Sequence, residues 1–174
     1  VRVLARVGIG KVKITGGEPL VRADIVDIVR AISSVEGIEE VSITTNGTLL
    51  AGLTSQLKKA GLKRVNVNLP SLKNNVYSWI TGVRLEKGVL TVLEGVKEAV
   101  EAGLKPVKVN MVVLKGVNEG EIPDFIELSR KSGVIVQLIE LETNNEKNPF
   151  YEKFHADLSW VEEELRRKAV KVVK

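Results

Sequence analysis

Residues 15–22 read Thr-Gly-Gly-Glu-Pro-Leu-Val-Arg and follow directly on Lys11-Val12-Lys13-Ile14. Paired glycines at the end of a strand let the backbone take positive φ and let another group approach closely. Pro19 suits the first turn of a helix, where its missing N–H costs nothing. In open α/β folds ligands bind beyond the carboxyl ends of the strands, which is where this turn falls. A bare Gly-Gly would only be a tight strand-to-helix turn. Thr15 before it and Glu18, Pro19 and Arg22 after it make this one more specific.

Three lysines are candidates for an anion. Lysine is a compact point charge suited to phosphate. Lys13 and Lys108 are flanked by apolar residues in mid-strand, where a charge without a partner is costly. Lys11 is equally well read as an exposed strand end. Thr44-Thr45-Asn46-Gly47 closes another strand, and its residue types suit a ligand or a turn held by side-chain-to-backbone bonds alike. Asn66, Asn68 and Ser71 offer donors and acceptors. His155 is the one histidine and has no partner at metal-ligand spacing. Trp79 and Trp160 sit on amphipathic stretches and read as packing.

The elements that must position these residues follow from periodicity. Apolar residues at helix spacing predict helices over 23–33, 53–60, 74–80, 86–102 (Leu90, Leu93, Val96 and Val100 inward), 119–131 and 158–168. Residues 1–7 read as the end of a helix. Strands are predicted over 12–15, 40–44, 64–69, 106–114 and 134–141, with 142–149 a polar loop and 170–173 a candidate last strand. Strands alternate with helices, so the units are βα and the sheet is parallel.

Parallel strands covered on both faces should be almost wholly apolar. These alternate instead. Lys11, Lys13, Ser42, Thr44, Asn66, Asn68, Lys108 and Asn110 fall on one face, and Val and Ile on the other. An incomplete parallel (βα) barrel with a wet, polar, anion-holding lumen accounts for that pattern. An open single sheet with one exposed face is the weaker alternative. In a barrel of this kind Val12–Thr15 is expected at an edge, with Lys13 and Lys108 converging near Gly16–Gly17 and Thr44–Asn46.

Composition bounds the rest. The 174 residues carry 26 basic and 22 acidic side chains, a net charge of +4, and one domain over 1–174 with a real core is expected. The small basic excess permits an anionic small ligand and does not call for nucleic acid. No apolar run reaches the ~18 residues of a membrane span, so a cytoplasmic protein without a membrane partner is expected. Cysteine is absent, which excludes disulfides and any thiolate-held cluster supplied by this chain.

Several stretches together resemble the radical S-adenosylmethionine GTP cyclases of molybdenum-cofactor biosynthesis. They are KVKITGGEPLVR (11–22), ITTNGTLL (43–50), AGLKRVNVNLPSL (60–72), ITG (80–82), PVKVNMVV (106–113), GVNEGEI (116–122) and LIELE (138–142). The resemblance implies a (βα)₆ barrel lacking its first strand. It implies conversion of GTP to 3′,8-cyclo-7,8-dihydro-GTP, a lyase reaction, with S-adenosylmethionine and two four-iron four-sulfur clusters as cofactors. It places S-adenosylmethionine at Gly16, Gly17, Glu18, Asn68 and Glu142, and GTP at Lys11, Lys13, Thr44, Thr45 and Lys108. Asn68 stands where the family usually has Ser, Pro70 where many members have Asp or His, and Glu142 where Met is common. The family's CxxxCxxC loop and its second three-cysteine site are not in these residues, so no metal ligand falls in this chain.

The expectation is therefore a central fragment of such an enzyme, inactive alone. A non-catalytic nucleotide- or phosphate-binding barrel and another radical S-adenosylmethionine branch are the alternatives. A homodimer covering the sheet edge is a further possibility.

Overall fold

The computed structural model describes residues 1–84, 88–145 and 147–168. Its framework is five parallel strands in the order β1-β2-β3-β4-β5. They are β1 (Lys11–Ile14), β2 (Glu40–Thr45), β3 (Leu62–Asn68), β4 (Val107–Val113) and β5 (Ile135–Glu140). β1 to β4 alternate apolar, mostly β-branched, residues with polar ones over most of their length, the pattern of a pleated surface with two unlike faces, while β5 (IVQLIE) is more continuously apolar. Among the described residues β1 pairs with β2 alone, so the stretch expected at an edge, Val12–Thr15, begins in an edge strand. The result is an incomplete (βα) barrel wall.

Helices α1 (Arg2–Arg6), α2 (Ile25–Ser33), α3 (Thr54–Lys59), α4 (Asn74–Thr81), α5 (Leu90–Glu101) and α6 (Ile122–Ser132) alternate with the strands. Gly82 and Gly133 end α4 and α6 in the left-handed conformation, at φ 70° and 69°. Only glycine adopts that geometry without a steric penalty. The polar loop expected over 142–149 gives way to a short helix, α7 (Pro149–Phe154), capped by the Asn148 side chain on the Phe150 amide. That Asn-Pro start was readable and passed over. α8 (Ser159–Lys168) follows. The candidate strand over 170–173, and the start of the helix expected from residue 86, lie outside the described residues.

The apolar strand face carries the core. Val41, Ile43, Val65, Val67, Leu69, Val107, Val109 and Met111 are buried against Val29, Leu57, Val92, Val96 and Phe125 of the helices. In α5 the inward face is Val92, Gly95, Val96 and Ala99. Leu90, expected inward, is 63% exposed. Gly95 sets the fit of that helix: a Cβ there would meet Leu50 Cβ at 2.9 Å and the Ala51 nitrogen at 3.1 Å.

Candidate functional site

The opposite face of the sheet is polar strand after strand, and the register fixes its rows. Lys13 lies opposite Ser42, and Ser42 opposite Arg64. Thr44 lies opposite Asn66, and Asn66 opposite Lys108. Asn68 lies opposite Asn110, and Asn110 opposite Gln137. In-register residues of parallel strands project to one side, so these three rows share a surface. Its side chains are thinly bonded. Lys108 Nζ reaches Gln137 Oε1 at 3.5 Å, Asn110 Nδ2 donates to Asn68 Oδ1 at 3.1 Å, and Arg64 pairs with Glu40 at 3.4 Å. Arg64 Nε, Asn66 Oδ1 and Asn110 Oδ1 are buried without any partner. Each such atom costs roughly 1–3 kcal/mol in the free protein, a cost that a polar ligand can offset.

The strand-end rim is built differently. Glu18 is a clasp. Its Oε1 accepts from the Leu20 amide at 3.0 Å and the Thr45 hydroxyl at 2.6 Å, and its Oε2 accepts from the Asn46 amide at 2.6 Å. The glycine turn is thereby tied to the end of β2. On the far side Glu121, 1% exposed, accepts from the Ser71 hydroxyl at 2.8 Å and the Leu72 amide at 2.8 Å. Asn118 donates to the Pro70 carbonyl at 2.7 Å and the Val112 carbonyl at 2.9 Å. These bonds tie the end of β3 to the end of β4. Tyr77 of α4 is buried near the same rim. Burial first, and the Glu18 carboxylate second, push its phenol above the ordinary tyrosine range.

The sequence-derived residues therefore divide. Lys11, Lys13, Thr44, Asn68 and Lys108 lie on the polar face. Thr45 does not: it is 1% exposed, on the helix-covered side, and its hydroxyl also accepts from the Gly47 amide at 3.0 Å. Asn46 is engaged in its own turn, accepting from the Thr48 amide at 2.9 Å. Gly47, at φ +78°, is required for packing, since a Cβ would meet Val67 and Val92 methyls at 2.7 and 2.8 Å. Ser71 belongs to the rim. Gly16 and Gly17 border open space, with nothing within 4 Å of an added Cβ, and Gly16 holds φ +151°. Glu142 is exposed in the loop after β5. His155 stacks on Tyr151 at 4.6 Å and lies 3.6 Å from Glu140. Trp79 and Trp160 are half exposed. Trp79 meets Phe154 edge-on at 5.5 Å, and Trp160 lines a groove of about 640 Å³ between α6 and α8 with Ile122, Ile126 and Leu165.

Reasoning from the sequence passed over Arg64, Gln137, Asn118 and Glu121. Arg64 and Gln137 sit at the same alternation parity as Asn66 and Asn110 on their strands, which was signal enough. Nothing in Asn118-Glu119-Gly120-Glu121 says which acid turns inward.

The sequence profile of the radical SAM superfamily matches residues 1–129. The chain belongs to the radical SAM superfamily. It is 51% identical over 172 residues to the probable GTP 3′,8-cyclase of Thermococcus kodakarensis, covering 98% of this chain and 54% of that protein. It is 46% identical over 141 residues to the GTP 3′,8-cyclase of Moorella thermoacetica, covering 80% and 42%. The chain thus spans about half the length of the curated relatives it matches. In structure it is similar to a domain of pyruvate-formate lyase-activating enzyme from Bacteroides vulgatus, with TM-score 0.66, 20% identity and 91% of both chains covered. It is also similar to coproporphyrinogen III oxidase from Escherichia coli, with TM-score 0.63 and 13% identity, covering 91% of this chain and 40% of that one. These structural likenesses bear on the fold alone.

Members of this superfamily work with S-adenosylmethionine and an iron–sulfur cluster. The open glycine turn and the unpartnered polar atoms fit a polar nucleoside-bearing ligand. The residues do not fit a thiolate-held cluster: the 174 residues include no cysteine. Among the described residues no three His, Asp or Glu side chains group as a metal site.

Proposed function

We propose that this chain is the nucleotide-holding wall of a GTP 3′,8-cyclase, working in the cytoplasm in the first step of molybdenum-cofactor synthesis, with residues 1–174 as one domain. The observation that carries the reading is the polar face, where Lys13 and Lys108 flank Ser42, Thr44 and Asn66 in adjacent rows. Two ammonium groups around hydroxyl and amide donors suit a triphosphate. Lys11 adds charge at the edge, and Thr44 is the threonine of the pair that reaches the ligand. Thr45 and Glu18 act through position, holding the glycine turn against β2.

S-adenosylmethionine is assigned to the rim beside Gly16 and Gly17, with Asn68 and Glu142 as the family-derived contacts. Held there, it would supply radical chemistry for the cyclisation. The cyclase family uses two clusters, and neither is assigned to residues of this chain. What this chain contributes is binding, orientation and charge neutralisation of the substrate phosphates. A second copy on the β1 edge remains a proposed partner, since an unpaired edge invites pairing.

The test is calorimetric titration of GTP into the chain and into Lys13→Ala and Lys108→Ala. Each alanine should weaken binding by about tenfold, in line with a lost charge-assisted contact. Unchanged affinity in both removes the lysines from the site.

A further inference from the structure

Asn46-Gly47, just past the end of β2, is the one Asn-Gly pair in the 174 residues. Such a pair can react with itself. The glycine amide nitrogen attacks the asparagine Cγ and closes a five-membered imide, and a residue without a side chain leaves that approach open. The N–Cγ bond forms, the Cγ–Nδ2 bond breaks, and the glycine amide proton leaves with the side-chain nitrogen as ammonia. Water then opens the imide at either carbonyl, giving aspartate or isoaspartate. No oxidant or reductant takes part. The fold cannot avoid the reaction by replacing Gly47, which holds φ +78° and whose Cβ would meet the Val67 and Val92 methyls at 2.7 and 2.8 Å.

The two reacting groups are treated in opposite ways. Asn46 Oδ1 accepts from the Thr48 amide at 2.9 Å and the Thr48 hydroxyl at 2.8 Å. Two donors on that oxygen draw charge from Cγ and stabilise the negative oxygen that attack creates. The electrophile is primed, and the nucleophile is withheld. The Gly47 amide donates to Thr45 Oγ1 at 3.0 Å. The Thr45 hydroxyl in turn donates to Glu18 Oε1 at 2.6 Å, which leaves its oxygen free to accept from Gly47. Thr45 is 1% exposed, so water does not compete for that bond. The Asn46 amide is pinned as well, donating to Glu18 Oε2 at 2.6 Å. Bonds in such a chain strengthen one another.

We propose that Asn46 is a self-modification site, held silent by the Glu18–Thr45–Gly47 chain of hydrogen bonds and converted to aspartate or isoaspartate when that chain opens. Either product puts a new carboxylate into the turn that the Glu18 carboxylate holds. Isoaspartate also lengthens the backbone by one carbon, so the clasp does not close again in register. Conversion at Asn46 therefore frees the glycine turn from the end of β2.

The experiment is peptide mapping by mass spectrometry of the full 174-residue chain aged in mildly alkaline buffer, reading the tryptic peptide 31–58, whose one asparagine is Asn46. Folded chain should convert at least about a hundredfold more slowly than chain unfolded in urea, because attack waits for a local opening. Thr45→Val removes the acceptor and should convert about fivefold faster than the unmodified chain while circular dichroism shows it still folded. Thr45→Ser keeps a hydroxyl and should convert at the unmodified rate. In the unmodified chain the Gly47 amide should be protected from hydrogen exchange. In the aged product, separated by ion exchange, the Leu20 amide should lose the protection that its bond to Glu18 gives. Equal conversion of folded and unfolded chain overturns the proposal. So does a Thr45→Val rate no faster than the unmodified one, or a Thr45→Ser rate as fast as that of Thr45→Val. An unprotected Gly47 amide refutes the lock without any variant, and so decides the matter even where Thr45→Val fails to fold.

Discussion

The rim and the lumen face of the barrel wall are both polar, yet they treat their polar atoms in opposite ways. At the rim the acceptors are filled. Glu18 collects three donors and Glu121 collects a hydroxyl and an amide. Two strides down the same strands, Arg64, Asn66 and Asn110 keep buried atoms with no partner. A satisfied buried network rigidifies, because every member is held by another. An unsatisfied one costs stability in the free protein and gains only when something binds. The rim is architecture that fixes where the glycine turn sits. The lumen face is the surface that the proposed function gives to a ligand.

Breaking the rim should therefore cost the most. Glu121→Ala strands the Ser71 hydroxyl and the Leu72 amide, with an expected loss of about 3 kcal/mol in urea unfolding. Glu18→Ala should lose about 2 kcal/mol, and faster hydrogen exchange at the Leu20 and Asn46 amides should report the freed turn. The threonine pair sharpens the contrast. Thr45→Val should lose about 1 kcal/mol, whereas Thr44→Val should stay within about 0.5 kcal/mol and weaken GTP binding instead. Asn66→Leu should cost nothing and gain up to about 1 kcal/mol; a clear loss would place Asn66 with the rim. The smallest effect concerns Tyr77. Its raised pKa means the neutral phenol is favoured in the fold. That contribution is whole below the ordinary tyrosine pKa and is lost as pH rises through the folded value. Tyr77→Phe should flatten the alkaline limb of the stability profile.

The fold was legible because period-2 and period-3.6 patterns are backbone-scale signals. They located all five strands and the alternation that makes one face polar. Boundaries drifted where tertiary packing decides, as at Leu90, which begins α5 on the outside. The site was half legible. Alternation put Lys13, Thr44 and Lys108 on a common face, but in Thr44-Thr45 adjacency hid opposite fates. One residue is on the polar lumen face and the other is buried against Glu18, and only the strand register separates them. Glu121 was invisible because its role depends on a loop fifty residues earlier.

The most direct test of the account is a backbone and side-chain amide NMR map of the chain titrated with GTP. Shifts centred on Lys13, Thr44, Arg64, Asn66, Lys108 and Asn110, with the rim amides of Leu20, Asn46 and Leu72 nearly still, are predicted. Shifts centred instead on Ile126, Trp160 and Leu165 in the groove between α6 and α8, or none on the lumen face at millimolar GTP, would contradict it.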